Sequence, residues 1–433
     1  MNDRWREPIS AENKLPKAIL VGIELLRDGS QPLDPSLEEL EGLATTANYQ
    51  PVASFALRLH GVNPKTFLGS GKVTELREAV ELRGADTVII DINLSPGQNR
   101  NLEKALNCRV IDRSWLILEI FSLHAQSREA KTQVELARLK YALPRLTRMW
   151  GHLSRQRGGI GLREVGETQI QLDRRMIREQ IHKLEIKLKQ IDKEKQTQRK
   201  QRRDVYRVAL VGYTNVGKSS IMNCLTGANT LVEDKLFATL DATTRKVRKN
   251  FPFPILLSDT VGLINKLPHD LVASFKSTLD EVREADLLIH VADICHPDAR
   301  NQMEIAERLL RELGARETEI VWVFNKVDRV PDRDLLSDMI ALHPRAIRTS
   351  CKTGAGIAEL RQAIVRHYEK RLSSMRVNLD YSQSGLVPAI RKHAMVVRAD
   401  YGEEGITLDL KFEPGEKTRL ERILNGPAQA FVS

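Results

Sequence analysis

The run Gly212-Tyr213-Thr214-Asn215-Val216-Gly217-Lys218-Ser219-Ser220 follows directly on an apolar stretch, Tyr206-Arg207-Val208-Ala209-Leu210-Val211, and leads into a helical pattern. No other segment restricts the fold as tightly. A GxxxxGKS loop between a strand and a helix holds phosphate because its glycines let successive backbone N–H groups curl around a diphosphate. Lys218 then neutralises the β and γ oxygens, and the Ser219 hydroxyl is placed to ligate Mg²⁺. Such a loop belongs at the carboxyl edge of a mostly parallel, doubly wound α/β sheet, so an α/β domain starting near residue 205 is expected.

Base identity needs a second motif, and Val321-Trp322-Val323-Phe324-Asn325-Lys326-Val327-Asp328 supplies it, 107 residues after Lys218. The Asp328 carboxylate can accept from both N1–H and the 2-amino group of guanine, a pair that adenine lacks. A wrong base would leave a polar site unmatched, which is a strong basis for rejection. Between the two motifs, Asp259-Thr260-Val261-Gly262 closes an apolar run: Asp259 is expected to hold Mg²⁺ through water and the Gly262 N–H to sense the γ-phosphate. Phe237-Ala238-Thr239-Leu240-Asp241 lies in a polar stretch, and Thr239 is the expected residue that closes on Mg²⁺ and γ-phosphate, with Thr243 and Thr244 as rivals. Ser350-Cys351-Lys352 stands where a last guanine-contacting loop is expected. Lys218, Thr239, Gly262 and Asn215 are the candidate catalytic residues. After Gly262 comes Leu263, which cannot orient an attacking water as a glutamine does, so unaided hydrolysis is expected to be slow.

Charge locates a second function. The chain carries 67 Lys and Arg against 57 Asp and Glu, a net +10. Residues 128–204 hold 21 basic and 10 acidic residues, so this one segment carries the whole positive excess. Within it Ile177, Ile181, Leu184, Leu188 and Ile191 alternate spacings of four and three, the seam of a coiled coil, and Val134, Ala137 and Tyr141 offer a partner helix. Four glycines in residues 157–166 predict a break between them. The expectation is a basic helical hairpin, 127–204, with a glycine tip. Contacts to a phosphate backbone are assigned to Arg155, Arg157, Gly158, Gly159, Arg163, Arg174, Arg175 and Arg178. A solvated coiled coil whose charges only keep it soluble is the plain alternative.

Four scattered cysteines without CxxC spacing argue against a zinc cluster or a disulfide framework. The amino terminus has no apolar signal core and no uncharged apolar run reaches a membrane span, so a cytoplasmic protein without membrane insertion is expected. Residues 1–126 alternate strands, 18–23, 52–57, 87–91 and 108–112, with helices, and predict a small α/β domain. Its Leu68-Gly69-Ser70-Gly71-Lys72-Val73 opens a helix like a second phosphate loop. It lacks the first glycine (Thr66) and the magnesium hydroxyl (Val73), which leaves an anion site and a structural turn both open. Residues 205–372 are the expected nucleotide domain, and 373–433 an α+β appendage with strands near 394–399 and 405–412 and a helix near 417–424.

The five nucleotide motifs, in this order, resemble the translation-factor-related class of P-loop GTPases. Gly69-Ser70-Gly71-Lys72, the run Asn93 to Glu103, Ile111-Asp112-Arg113, Ser127 to Ala137, Gly158-Gly159-Ile160-Gly161 and Gly166-Glu167-Thr168-Gln169 resemble HflX-type GTPases. The resemblance implies a bacterial, cytoplasmic GTPase, partly ribosome-associated, that binds GTP or GDP with Mg²⁺ and docks on the large (50S) ribosomal subunit and its rRNA through the hairpin tip. It implies splitting or rescue of stalled ribosomes under stress, or aid to subunit biogenesis, by a protein that is a monomer off the ribosome. Some members also hydrolyse ATP through the amino-terminal domain. By resemblance to potassium-stimulated GTPases, Asn215 makes K⁺ a candidate second cofactor. Where the family has three successive glycines and a Gly-Pro, this tip reads Arg157-Gly158-Gly159-Ile160 and Glu164-Val165-Gly166, a stiffer and more charged version. A GTPase of tRNA modification and an RNA-binding scaffold with a non-hydrolysing guanine site are the competing readings.

Overall fold

The computed structural model describes residues 15–25, 33–146, 162–200, 205–227, 236–237, 243–247, 251–264, 281–312, 314–315, 318–329, 339–403 and 405–425. It divides into two compact units, Met1–Lys249 with Pro254–Ala355, and Asn250–Phe253 with Gly356–Ser433.

The first unit opens with four parallel strands, β1 (Lys17–Leu25), β2 (Gln50–Leu59), β3 (Thr87–Ile90) and β4 (Arg109–Asp112), in the order β2-β1-β3-β4. Strand β1 is apolar on both faces: Ile19 and Val21 point one way and Ala18 and Leu20 the other, all fully buried. A parallel sheet needs helices on both sides for that pattern, and it has them. Leu76 and Val80 of α2 (Ser70–Arg83) and Leu102 and Leu106 of α3 (Pro96–Leu106) pack on the Ile19 face. Helices α1 (Leu33–Thr46) and α4 (Arg113–His124) also pack on the strands, α1 on β1 and β2 and α4 on β3 and β4. Ser95 starts α3 with a reciprocal capping box to Gln98.

Next comes a helical pair, α5 (Arg128–Ala142) and α6 (Leu162–Lys200). The seam read from the sequence faces inward: Leu184 and Ile191 are buried, as are Val134 and Ala137 opposite. Lys195 pairs with Glu129 and Lys140 meets Glu185 at 2.8 Å, an order in which the two helices run antiparallel, and Gln180 Nε2 donates to Glu135 at 2.9 Å. Helix α6 begins at Leu162, so Glu164-Val165-Gly166 are helical where the sequence predicted a glycine break. One glycine inside a helix costs only about 1 kcal/mol, which a helix of 39 residues absorbs. The rest of the expected tip, with Arg155, Arg157, Gly158 and Gly159, lies outside the described residues.

The third part of this unit is a six-stranded sheet, order β10-β9-β8-β5-β7-β6. Its strands are β5 (Tyr206–Gly212), β6 (Thr243–Val247), β7 (Ile255–Asp259), β8 (Leu287–Asp293), β9 (Ile320–Asn325) and β10 (Ile347–Arg348), all parallel to their neighbours except β6. Helices α7 (Lys218–Thr226) and α8 (Ala299–Glu312) flank it. Strand β5 has neighbours on both sides, so the loop that follows it emerges at the middle of the sheet's carboxyl edge.

The second unit is an antiparallel sheet, order β11-β13-β12, of β11 (Ser373–Leu379), β12 (Met395–Gly402) and β13 (Gly405–Phe412). Leu408, Leu410 and Phe412 share a core with Leu420 and Ile423 of α11 (Lys417–Asn425) and Ile390 of α10 (Val387–His393). Helix α9 (Ile357–Arg371) belongs to this unit, and its Tyr368 stacks on Phe253 at 3.6 Å.

Candidate nucleotide site

The loop between β5 and α7 turns only because three residues take left-handed backbone: Gly212 at φ 148, Asn215 at φ 59 and Gly217 at φ 95. Two of these glycines also answer to close approach. A Cβ on Gly212 would lie 2.2 Å from the Val291 carbonyl oxygen, and one on Gly217 would lie 2.2 Å from Nδ2 of Asn325. Lys218 folds back inside the loop, where its ammonium donates to the Tyr213 carbonyl at 2.7 Å and to the Gly212 carbonyl at 3.2 Å. Burial pushes its pKa down to about 8, with Asp259 opposing the shift. A buried ammonium held by two neutral carbonyls is short of counter-charge, which a polyphosphate supplies.

Strand β9 is tied to the same loop. Asn325 is buried; its Nδ2 donates to the Val216 carbonyl at 2.9 Å and its Oδ1 accepts from Thr349 Oγ1 at 3.2 Å. Lys326 Nζ donates to the Asn215 carbonyl at 2.9 Å and pairs with Asp293 at 2.7 Å. Asp328 sits exposed at the end of β9, where Ser350 Oγ donates to it at 2.6 Å and holds its carboxyl below the usual range. Thr349 and Ser350 are fully buried; Val327 is half-buried, and Lys352 is exposed beside Asp328. Cys351 points its sulfur at Asn325 Oδ1 across 3.8 Å, and burial raises its thiol pKa. The structure thus gathers 212–220, 325–328 and 350–352 around one place.

Ser219 Oγ donates to Asp259 Oδ2 at 2.6 Å. Two hard oxygens side by side at a phosphate loop are the donor set that Mg²⁺ takes, the remaining ligands coming from phosphate and water. Thr260 is spent structurally, donating to the Leu210 carbonyl at 2.7 Å. Beyond Val261, Gly262 packs so close to the loop that a Cβ there would meet Thr214 Cγ2 at 2.6 Å. The Thr214 N–H donates to the Leu263 carbonyl at 2.9 Å and the Leu263 N–H to the Gly212 carbonyl at 3.0 Å, so the two segments form a short bridge. Ala238, Thr239, Leu240 and Asp241 lie outside the described residues. Of the rivals to Thr239, Thr244 is taken into the sheet, its hydroxyl 2.9 Å from Ser258 Oγ, and Thr243 pairs with Asp259 in β6. Phe237 is buried edge-on against Phe121 of α4, ring centroids 4.8 Å apart, and faces the amino-terminal helices.

Sequence reasoning missed one contact. The Tyr213 hydroxyl donates to Glu39 of α1 at 2.6 Å; Glu39 also pairs with Arg113, and Arg113 with Asp91. Arg113 and Asp91 are buried, and the carboxylates hold the arginine charged against the cost of burial. Glu38, Glu41, Tyr213, Asn215, Asp293 and Lys326 line a cavity of about 450 Å³ in front of the loop. The partners are 174 residues apart, and the only sequence signal was a run of acids in α1.

On the hairpin, Arg175 and Arg178 are exposed, Arg174 is half-buried, and Arg175 pairs with Glu179 at 3.0 Å. Arg163 lies at the start of α6. In the first turns of α2, Lys72 Nζ is exposed and paired with Glu75 at 2.7 Å.

Three family models match the chain: "GTP-binding GTPase N-terminal" over residues 34–122, "GTP-binding GTPase Middle Region" over 124–202 and "50S ribosome-binding GTPase" over 207–326. A GTPase HflX from Flavobacterium psychrophilum is 48% identical over 333 residues, 76% of this chain and 80% of that protein. One from Magnetococcus marinus is 44% identical over 401 residues, 92% of each chain. This chain belongs to the HflX family of GTPases. The HflX relative from Escherichia coli is 39% identical over 398 residues, 91% of this chain and 92% of its own. Among solved structures, a GTP-binding protein from the archaeon Sulfolobus solfataricus in complex with GDP is similar at 27% identity and TM-score 0.44, over 82% of this chain and 99% of that one. Among the described residues of this HflX-family chain, no helix is long and apolar enough to cross a membrane.

Proposed function

We propose that this chain binds GTP at the β5–α7 loop, hydrolyses it, and uses the nucleotide state to time its stay on the large ribosomal subunit, where it splits or rescues stalled ribosomes or aids subunit biogenesis. One observation carries the nucleotide reading. Asn325 and Lys326 hydrogen-bond to the carbonyls of Val216 and Asn215, so the strand that reads the base and the loop that holds the phosphates are one braced body.

In this reading the N–H groups of 215–219 surround the diphosphate, and Lys218 exchanges its two carbonyl partners for β and γ oxygens. Asp328 accepts from the guanine edge, held in place by Ser350. Ser219 and Thr239 would hold Mg²⁺ directly and Asp259 through water, and the ion would supply charge neutralisation to the phosphates. Gly262 presents its N–H to the γ-phosphate. The Asn215 carbonyl accepts from Lys326, and the Asn215 side chain would be the one to hold K⁺. Leu263 is buried and aliphatic, so it contributes nothing to water orientation and unaided turnover is slow.

The ribosome reading rests on the hairpin. It concentrates an excess of 11 positive charges in residues 128–204, and its helices are held together by ion pairs that leave Arg175 and Arg178 outward. Lys and Arg arrayed in this way suit a phosphate backbone. The match of 207–326 to a 50S ribosome-binding GTPase model supports the same partner. The four segments, 1–126, 127–204, 205–372 and 373–433, then act as amino-terminal domain, RNA arm, nucleotide timer and appendage. Sedimentation with large subunits in the presence of a non-hydrolysable GTP analogue tests the proposal. Co-sedimentation that weakens when GDP replaces the analogue is expected, and absence of the protein from the subunit pellet would overturn it.

A further inference from the structure

Of four side-chain hydroxyls at or beside the phosphate loop, those of Tyr213, Thr214, Ser219 and Thr260, three have work. Tyr213 donates to Glu39, Ser219 to Asp259, and Thr260 to the Leu210 carbonyl. The fourth, on Thr214, is buried at 6% exposure, and its Oγ1 has no hydrogen-bond partner. Among the described residues it is the one buried side-chain hydroxyl in that condition. Burying an unpaired hydroxyl is unfavourable, and one at a ligand site points to a partner that arrives with the ligand.

The surroundings say which part of the ligand. Thr214 touches Gly262: a Cβ on that glycine would lie 2.6 Å from Thr214 Cγ2 and 2.8 Å from its Cα. Since the Gly262 N–H is the group assigned to the γ-phosphate, Thr214 stands on the γ side of the loop. The residue after Gly262 cannot do what a polar side chain would there. Leu263 is aliphatic and 7% exposed, and its backbone is pinned to the loop at both N–H and carbonyl, 3.0 and 2.9 Å from Gly212 and Thr214.

We propose that Thr214 is a catalytic residue of the GTPase reaction, whose hydroxyl donates to a γ-phosphate oxygen and accepts from the attacking water. This rests on the nucleotide reading above. In the step it serves, the water oxygen forms a bond to Pγ and the bond from Pγ to the bridging oxygen breaks. The electron pair stays on the β-phosphate, and the water's proton passes to a γ oxygen, giving GDP and inorganic phosphate. A hydroxyl is suited to this place because it donates and accepts at once, and its lone pair orients water without needing to be a strong base.

Thr214→Val keeps the shape, including the methyl on Gly262, and removes only the hydroxyl; Thr214→Ser keeps the hydroxyl and removes the methyl. Single-turnover GTP hydrolysis by the full-length protein in KCl should slow about 10- to 100-fold in the valine variant, as on loss of one preorganised hydrogen-bonding group. GDP affinity should be unchanged, and binding of GDP with aluminium fluoride, which mimics the transferring phosphoryl group, should weaken in parallel with the rate. Thr214→Ser should hydrolyse within about threefold of the parent. Hydrolysis by Thr214→Val at the parental rate, or a serine variant as slow as the valine one, overturns the proposal. So does an equal loss of GDP affinity and rate, which would make the residue a support of the loop. If the valine protein does not fold, serine against alanine makes the same comparison. Failure of the nucleotide reading shows separately, as a parent protein that binds no guanine nucleotide.

Discussion

The nucleotide site and the basic hairpin are built on opposite principles. Around the phosphate loop, function is written in backbone: left-handed Gly217, close-packed Gly262, and carbonyls that each take a named side chain. In the hairpin the proposed RNA contact would rest on side-chain charge, spread along α6 over arginines such as Arg174, Arg175 and Arg178, with only the seam fixed by packing. The first design concentrates the cost of substitution in a few atoms. The second distributes it, so no single arginine is decisive.

The largest effect that this comparison predicts is at Gly217. In Gly217→Ala the new methyl would stand 2.2 Å from Asn325 Nδ2 at a backbone angle that alanine resists, forcing β9 off the loop. GDP affinity should fall by roughly 100-fold or more, measured by fluorescent-nucleotide titration. A tolerant alanine variant would show that the brace between loop and strand is not required. Asp328→Asn comes next: the amide cannot accept from both guanine donors, and GTP affinity should fall about 100-fold while ribosome binding in the absence of nucleotide is spared.

Charge reversal at Arg174, Arg175 and Arg178 should do the converse. Large-subunit binding should weaken about tenfold or more and the slope of log affinity against log salt should fall by about 2 to 3, with GTP affinity unchanged. Loss of GTP binding in that protein would mean that the arm and the site are not separable.

The smallest effect is in pH. Burial lowers the Lys218 pKa to about 8. Phosphate favours the ammonium, so binding above that pH must take up a proton, whereas below it the proton is already present. GDP affinity should be flat up to about pH 7.5, down about twofold at pH 8 and about tenfold at pH 9. A flat profile to pH 9 would show that the lysine charge does not bear on binding.

The same contrast explains what could be read from the sequence. The four amino-terminal strands, β5, β7 and β9 were legible because each is a short apolar run, the last three leading into motif residues, and α6 because its seam repeats every seven residues. The end of β9 was legible because Asn325, Lys326 and Asp328 carry a fixed chemistry at a fixed spacing. Where the helix resumes after the tip was not, since Gly166 argues locally for a break that the length of α6 overrides. Nor was the burial of Arg113, which by residue type belongs on the surface and is inside only because Asp91 and Glu39 meet it there. The partnerless hydroxyl of Thr214 is likewise a property of the packed fold: its sequence neighbours place it in the loop but say nothing of what its oxygen faces.

Glu39 serves two masters, the Tyr213 hydroxyl and the Arg113 guanidinium. A nucleotide domain cut from this chain at residue 205 would therefore keep every motif that names it a GTPase and still carry a tyrosine without its anchor, one residue from Thr214. Rates and affinities taken from such a fragment would describe an altered loop, so the catalytic unit of this protein is best defined as reaching back to α1.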